Sequence, residues 1–106
     1  MTNLAMPKLQ AIAHDDLESA RRTLTTEIAG LSALSDSLND EFIKAIAAIQ
    51  AMKDKGKGRL IIAGIGKSGH IARKIAATLA STATPAYYIH PGEASHGDLG
   101  MITEND

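Results

Sequence analysis

The 106-residue chain has no cysteine and no tryptophan, and its only aromatic side chains are two tyrosines and one phenylalanine. Without thiols it can form neither a disulfide nor a thiolate metal centre. With aromatics at 3% and hydrophobic residues at 44%, its core has to be built from alanine, isoleucine and leucine packed between helices and a sheet. Neither charge sign is in excess: 11 basic residues face 12 acidic ones, and no basic run exceeds Arg21-Arg22. The electrostatic footprint of a nucleic-acid binder is therefore absent. No apolar stretch approaches the ~20 residues needed to span a bilayer. The opening Met1-Thr2-Asn3-Leu4-Ala5-Met6-Pro7 carries no basic segment followed by an apolar one, so the expectation is a cytoplasmic protein with no membrane association.

What the chain does have is helical periodicity. After a tail, apolar residues recur from about Leu9 at helical spacing: Leu17, Ala20, Leu24, Ile28, Leu31, Leu34 and Leu38. Leu17, Leu24, Leu31 and Leu38 are seven apart, as in a coiled coil, but Glu27 occupies a position where a coiled coil wants an apolar residue. Capping-type residues crowd at Ser35, Asp36, Ser37, Asn39 and Asp40, which predicts a break there. A second helix then starts at Asn39 or Asp40 and runs to Met52. The expected division is 1–39, tail and long helix, and 40–106, the start of an α/β domain. The run KDKGKG (Lys53 to Gly58) supplies basic residues for the end of the second helix and glycines to stop it.

Arg59-Leu60-Ile61-Ile62-Ala63 reads as a buried strand, and Gly64 to Gly69 as a tight turn. A helix follows from Ser68 to about Ser81, and a second strand over Ala86-Tyr87-Tyr88-Ile89. This is a βαβ unit, a parallel pair with a right-handed crossover. His90 to Gly100 reads as loop or short helix, and Met101 to Asp106 as the approach to a third strand. Two parallel strands apolar on both faces need further strands beside them, so the expectation is a domain that stops after its second strand and following loop. Closure of the open edge by dimerisation is the alternative.

The turn Gly64-Ile65-Gly66-Lys67-Ser68-Gly69 meets two nucleotide patterns in part. It spells G-x-G-x-x-G, but Tyr87-Tyr88-Ile89-His90 lacks the acidic residue that would hold a ribose. It ends like a P-loop, but Ile61 stands where that loop needs glycine. What remains is general: amide groups at a helix amino terminus, a lysine and a hydroxyl together make a site for an anion.

Read continuously, Gly64 to Lys74, Ala80-Ser81-Thr82 and the run His90-Pro91-Gly92-Glu93-Ala94-Ser95-His96-Gly97-Asp98-Leu99-Gly100 resemble the start of the sugar isomerase (SIS) domain of D-arabinose 5-phosphate isomerases. The resemblance is close over 58–106 and extends to the preceding helices only in character. It implies a Rossmann-like fold with a parallel sheet behind two helices. The implied activity is interconversion of D-ribulose 5-phosphate and D-arabinose 5-phosphate, which supplies Kdo for lipopolysaccharide. It also implies a homo-oligomer, by family habit a tetramer, with a pentose 5-phosphate as substrate. Lys67 and His96 are implied as catalytic residues, and Gly66, Ser68, Ala83, Thr84, His90 and His96 as substrate contacts. No cofactor is required, although His90 is also a candidate ligand for a divalent metal such as zinc. Ala83 stands where the family commonly has glycine. The turn Ala83-Thr84 precedes the second strand, at the opposite sheet end from Lys67, so it would serve a neighbouring subunit's site. Glu93 and Asp98 are assigned to loop hydrogen bonding, His70 to the helix start and His14 to the surface. The family's phosphate-binding serine loop and its base are expected beyond Asp106. The rival function is a regulatory module that binds phosphosugars without converting them; a purely structural helical oligomerisation unit is a third reading.

Overall fold

A computed structural model describes the backbone of residues 2–106 and the side chains of residues 13–106. It divides into two units, 1–39 and 40–106. The first is a single helix, α1 (Thr2–Ser37). It takes in the segment expected as a tail, because Leu4, Ala5, Met6 and Lys8 are good helix formers even though no apolar period marks them. α1 ends at Ser37, whose hydroxyl donates back to the Leu34 carbonyl at 2.7 Å. Leu38, the fourth leucine of the heptad pattern, therefore lies outside the helix, which leaves three in a row.

The second unit opens with α2 (Asp40–Asp54), with Asp40 and Glu41 in its first turn and Lys53 in its last, complementing the helix dipole at both ends. Gly56, at φ 66°, takes the left-handed conformation that stops the helix, and its N–H bonds to the Lys53 carbonyl at 3.0 Å. Next come β1 (Leu60–Ala63), α3 (Lys67–Ser81) and β2 (Ala86–Ile89). The strands pair in parallel, Leu60 with Ala86 through Ala63 with Ile89. The chain continues into a short helix, α4 (Pro91–Ser95), and a 3₁₀ turn at Asp98–Met101. No third strand forms among the described residues; the sheet has two.

The core lies between α3 and the sheet. Gly69, Ala72 and Ala76 make the buried stripe of α3, facing Ala86 and Ile89 of β2. Such small residues let the helix approach the strands closely. β1, expected to be fully buried, is only half-buried, because no strand covers its second edge. A cavity of about 360 Å³ lies between α2 and β1, lined by Ala48, Ile49, Met52, Leu60, Ile61 and Ile102 among others.

The last residues fold back on the start of β1 through one ion pair. Asp106 receives the Arg59 backbone N–H at 2.9 Å, its Nη2 at 2.9 Å and the Thr103 N–H at 2.7 Å. Arg59 also donates to the Met101 carbonyl, and its guanidinium lies 4.9 Å from the Tyr87 ring centre. The Arg59 hydrogen bonds, then that of Thr103, hold the Asp106 carboxyl well below the usual carboxylate range. A lowered folded-state pKa stabilises the fold above the unfolded pKa and ceases to do so as the carboxylate takes up its proton. Accordingly the stability gap between the parent and Asp106→Asn should stay constant from neutral pH down to about pH 5 and shrink below about pH 4. Denaturant titration across pH checks this, and a gap that grows on acidification would contradict it.

At the other end of α3, Thr84 N–H reaches the Leu79 carbonyl at 2.9 Å, closing a Schellman-type cap in which Ala83 sits at φ 70°. This is the position where the family resemblance leads one to expect glycine, and a Cβ is disfavoured there by roughly 1–2 kcal/mol. Ala83→Gly is expected to stabilise the protein by about 1 kcal/mol, read as a higher denaturant midpoint at unchanged slope.

Candidate functional site: the glycine turn and the rim loop

Pairing of Ala63 with Ile89 puts the carboxyl ends of both strands side by side. Everything that follows them emerges on one rim of the sheet, the rim where open α/β sheets bind ligands. From β1 comes the turn Gly64-Ile65-Gly66, from β2 the loop that begins at His90.

The turn is shaped by what its glycines lack. Gly66, at φ 60°, is the residue before α3 and needs the conformational freedom. Gly64 and Gly69 are there for space: a Cβ on Gly64 would lie 2.8 Å from the Ser68 carbonyl, and one on Gly69 2.7 Å from the Gly64 oxygen. The first turn of α3 is then stitched back on the loop, with Gly69 N–H to Ile65 and His70 N–H to Gly66, at 3.4 and 3.1 Å. Lys67 and Ser68 occupy the first two helical positions, where backbone N–H groups have no partner within the helix. Both side chains are exposed. Lys67 thus adds a full charge to a helix amino terminus that already favours anions.

On the neighbouring strand end, His90 is the amino-terminal cap of α4, its Nδ1 accepting the Gly92 N–H at 2.9 Å. A Cβ on Gly92 would lie 3.0 Å from that ring, so this glycine makes the seat for the imidazole. With Nδ1 accepting, the neutral ring carries its proton on Nε2, which makes it a donor. That arrangement suits contact with a substrate oxygen and does not suit a metal, which needs a free lone pair. Among the described residues the group with ligand atoms within 4.8 Å of one another is His14, Asp15 and Glu18, exposed on α1, and His90 is not in it.

His96 caps the carboxyl end of α4, with its N–H bonded to the Glu93 carbonyl at 3.0 Å, and is exposed. Glu93 and Asp98 were expected to hydrogen-bond within the loop. Their side chains make no described hydrogen bond; each sits in the first turn of its short helix, where a carboxylate is favoured by the helix dipole. His70 is exposed on the first turns of α3, and His14 pairs with Glu18 at 3.8 Å on α1. Ala83 and Thr84 lie past the far end of α3, a helix of 15 residues and so about 22 Å from Lys67. Thr84 is only 6% exposed, so Ala83 is the residue of this pair that faces solvent. The structure therefore gathers Gly66, Lys67, Ser68, His90 and His96 on elements of one rim and keeps Ala83 and Thr84 apart from them.

Two residues at this site escaped the sequence reading. The Tyr88 hydroxyl donates to the Gly64 carbonyl at 2.6 Å, and the Arg73 guanidinium stacks 4.2 Å from the Tyr88 ring centre. With β2 read as apolar on both faces, nothing in its spacing says which of its tyrosines meets the turn. The cavity beside β1 is unconnected with the site: neither Lys67, His90 nor His96 lines it.

Residues 55–106 match the SIS domain family. The chain belongs to the SIS domain family through this segment. It is 50% identical over 92 residues to arabinose 5-phosphate isomerase KdsD of Pseudomonas aeruginosa, covering 87% of this chain and 27% of that protein. Identity to arabinose 5-phosphate isomerase GutQ of Escherichia coli K12 is likewise 50%, over 90 residues, 85% of this chain and 27% of the relative. A solved Escherichia coli CFT073 structure in complex with A5P superposes with a TM-score of 0.78 at 39% identity, covering 87% of this chain and 47% of that one. The chain thus spans about a quarter of the length of the curated relatives it matches. The expected α/β architecture, with two helices ahead of a parallel pair, is that of the start of a SIS domain.

In such a domain the tightness of the glycine turn is a testable property. Gly69→Ala gains helix propensity of about 1 kcal/mol but drives a Cβ into the Gly64 carbonyl, an overpacking that costs about 1–3 kcal/mol. A net loss of about 1 kcal/mol is expected by denaturant titration; a gain would mean that the turn has room to spare.

Proposed function

We propose that the protein carrying this chain is an aldose/ketose isomerase that interconverts D-ribulose 5-phosphate and D-arabinose 5-phosphate. The observation that carries this reading is the strand register, which brings the Lys67 turn and the His90–His96 loop to one rim, in a chain half identical to arabinose 5-phosphate isomerases. A ketose and its aldose interconvert by moving a proton between C1 and C2 through an enediol. The reaction asks for a base, for groups that handle the two oxygens and for fixed positive charge.

In this reading Lys67 and the amides of Gly66, Lys67 and Ser68 supply the positive field, whether toward the phosphate or toward the enediolate. His90, with Nε2–H outward from its cap, donates to a substrate oxygen. His96 acts within the same loop as acid, base or donor, which neutral imidazole allows. The base that removes the carbon-bound proton belongs to the length of the relatives this chain does not span. Ala83, exposed and distant from Lys67 within one subunit, would contact substrate from a neighbouring subunit of a homo-oligomer, by family resemblance a tetramer, with the buried Thr84 shaping that turn. Among the described residues no helix is long and apolar enough to cross a membrane; a cytoplasmic location is part of the proposal by family resemblance. Zinc at His90 is not part of this proposal.

Steady-state kinetics test it in the full-length protein. Lys67→Ala should lower kcat/KM by about 10²-fold or more, with an unchanged thermal melt because the side chain is exposed. His96→Asn should lose more turnover than His70→Asn. Unchanged turnover on losing Lys67 would refute the assignment, and tight binding of D-arabinose 5-phosphate without any turnover by the parent would instead favour the regulatory module.

A further inference from the structure

We infer that Tyr88 is a positioning residue for the Lys67 turn, its hydroxyl setting the orientation of the Gly64–Ile65 peptide so that the turn presents N–H groups and no carbonyl to an anion. This inference rests on the isomerase reading above and goes beyond it by assigning a residue that contacts no substrate.

The geometry begins with the Gly64 carbonyl, the first after β1. It accepts the Tyr88 hydroxyl at 2.6 Å, a bond between two elements 24 residues apart in sequence. Because a peptide unit is planar and trans, holding its C=O toward Tyr88 turns the Ile65 N–H the opposite way. An anion at the amino terminus of α3 is attracted by N–H groups and repelled by carbonyl oxygens. Released from Tyr88, the Gly64 carbonyl would be free to rotate, since it ends a strand and belongs to the residue type with the loosest backbone.

Three further features are built around this bond. Gly69 has no Cβ, and one placed there would lie 2.9 Å from the Tyr88 oxygen, so the helix makes room for the hydroxyl. Tyr88 is half-buried, which keeps water from competing for the bond. Arg73, about one and two-thirds turns beyond Lys67 on α3, lays its guanidinium over the ring at 4.2 Å from the centroid. A cation on the ring face draws electron density from the phenol and strengthens its hydroxyl as a donor. Strand β2, the turn and α3 are thereby fastened at one point, three residues before Lys67.

A purely structural hydrogen bond would affect stability alone, whereas a positioning bond acts through Lys67. A double-mutant cycle separates the two. Dissociation constants for D-arabinose 5-phosphate are measured by calorimetry in the full-length parent, in Tyr88→Phe, in Lys67→Ala and in the double variant, with a thermal melt for each. Tyr88→Phe is expected to weaken binding about five-fold where Lys67 is present, and less than about two-fold where it has been replaced. Arg73→Met, which keeps an aliphatic stem over the ring without the charge, is expected to weaken binding about two-fold in the same Lys67-dependent way. Equal effects in both Lys67 backgrounds, or no effect of Tyr88→Phe in a parent that binds and turns over the sugar phosphate, would overturn the inference while leaving the isomerase reading intact. A parent that neither binds nor isomerises D-arabinose 5-phosphate would overturn both.

Discussion

The pairing of two short parallel strands, Leu60 to Ala63 against Ala86 to Ile89, is the constraint on which everything else in the α/β unit depends. A parallel pair cannot be joined by a tight turn; it needs a crossover, and α3 provides one that lies flat against the sheet. For that helix to lie flat, its inward stripe must be small, and Gly69, Ala72 and Ala76 meet the requirement. For it to start at once after β1, the turn must be tight, and Gly64 and Gly69 meet that one by leaving no Cβ between carbonyl and helix. The register then has a chemical consequence. Since Ala63 is opposite Ile89, the anion-attracting start of α3 and the histidine-bearing loop have no choice but to leave the sheet on the same side.

The two ends of α3 show how one sequence feature serves packing and another serves chemistry. At its amino end, glycine is used for close approach and for a positive φ, and the reward is a cluster of open amides beside Lys67. At its carboxyl end a Schellman-type cap is closed over Ala83, a residue that does not welcome φ 70°, and Thr84 is buried behind it. The first end has the character of a ligand site, with exposed charge and unfilled donors. The second has the character of a joint. Their separation along the helix keeps the two ends from meeting on one small ligand within a single chain.

Electrostatics distribute in the same manner. The Arg59–Asp106 pair fastens the segment after the 3₁₀ turn to the start of β1, at the end of the strand away from the glycine turn. The Asp106 side chain is only 3% exposed and that of Arg59 is half-buried, so the pair has a structural role. Lys67, His90 and His96, by contrast, stand exposed on the opposite rim, where charge is available to a ligand. Held at both strand ends, one by an ion pair and one by the Tyr88 hydroxyl, β1 becomes a fixed base for the turn it carries.

Much of this could be read from residue order alone, because it depends on local chemistry. Apolar period, capping residues and glycines placed α2, β1, α3 and β2 to within about two residues. The motif from Gly64 to Lys74 and the run from His90 to Gly100 carried the family. What order could not supply was everything that depends on faces and contacts across the chain. The half-exposure of β1 comes from the neighbours a strand has in the sheet. The seat of Arg59 on Asp106 and the bond from Tyr88 to Gly64 join residues 47 and 24 positions apart, and no periodicity extends that far. Local spacing determines which elements form; only the folded chain decides which side chain meets which carbonyl, because that is set by the register of the strands and by the space that a missing Cβ leaves open.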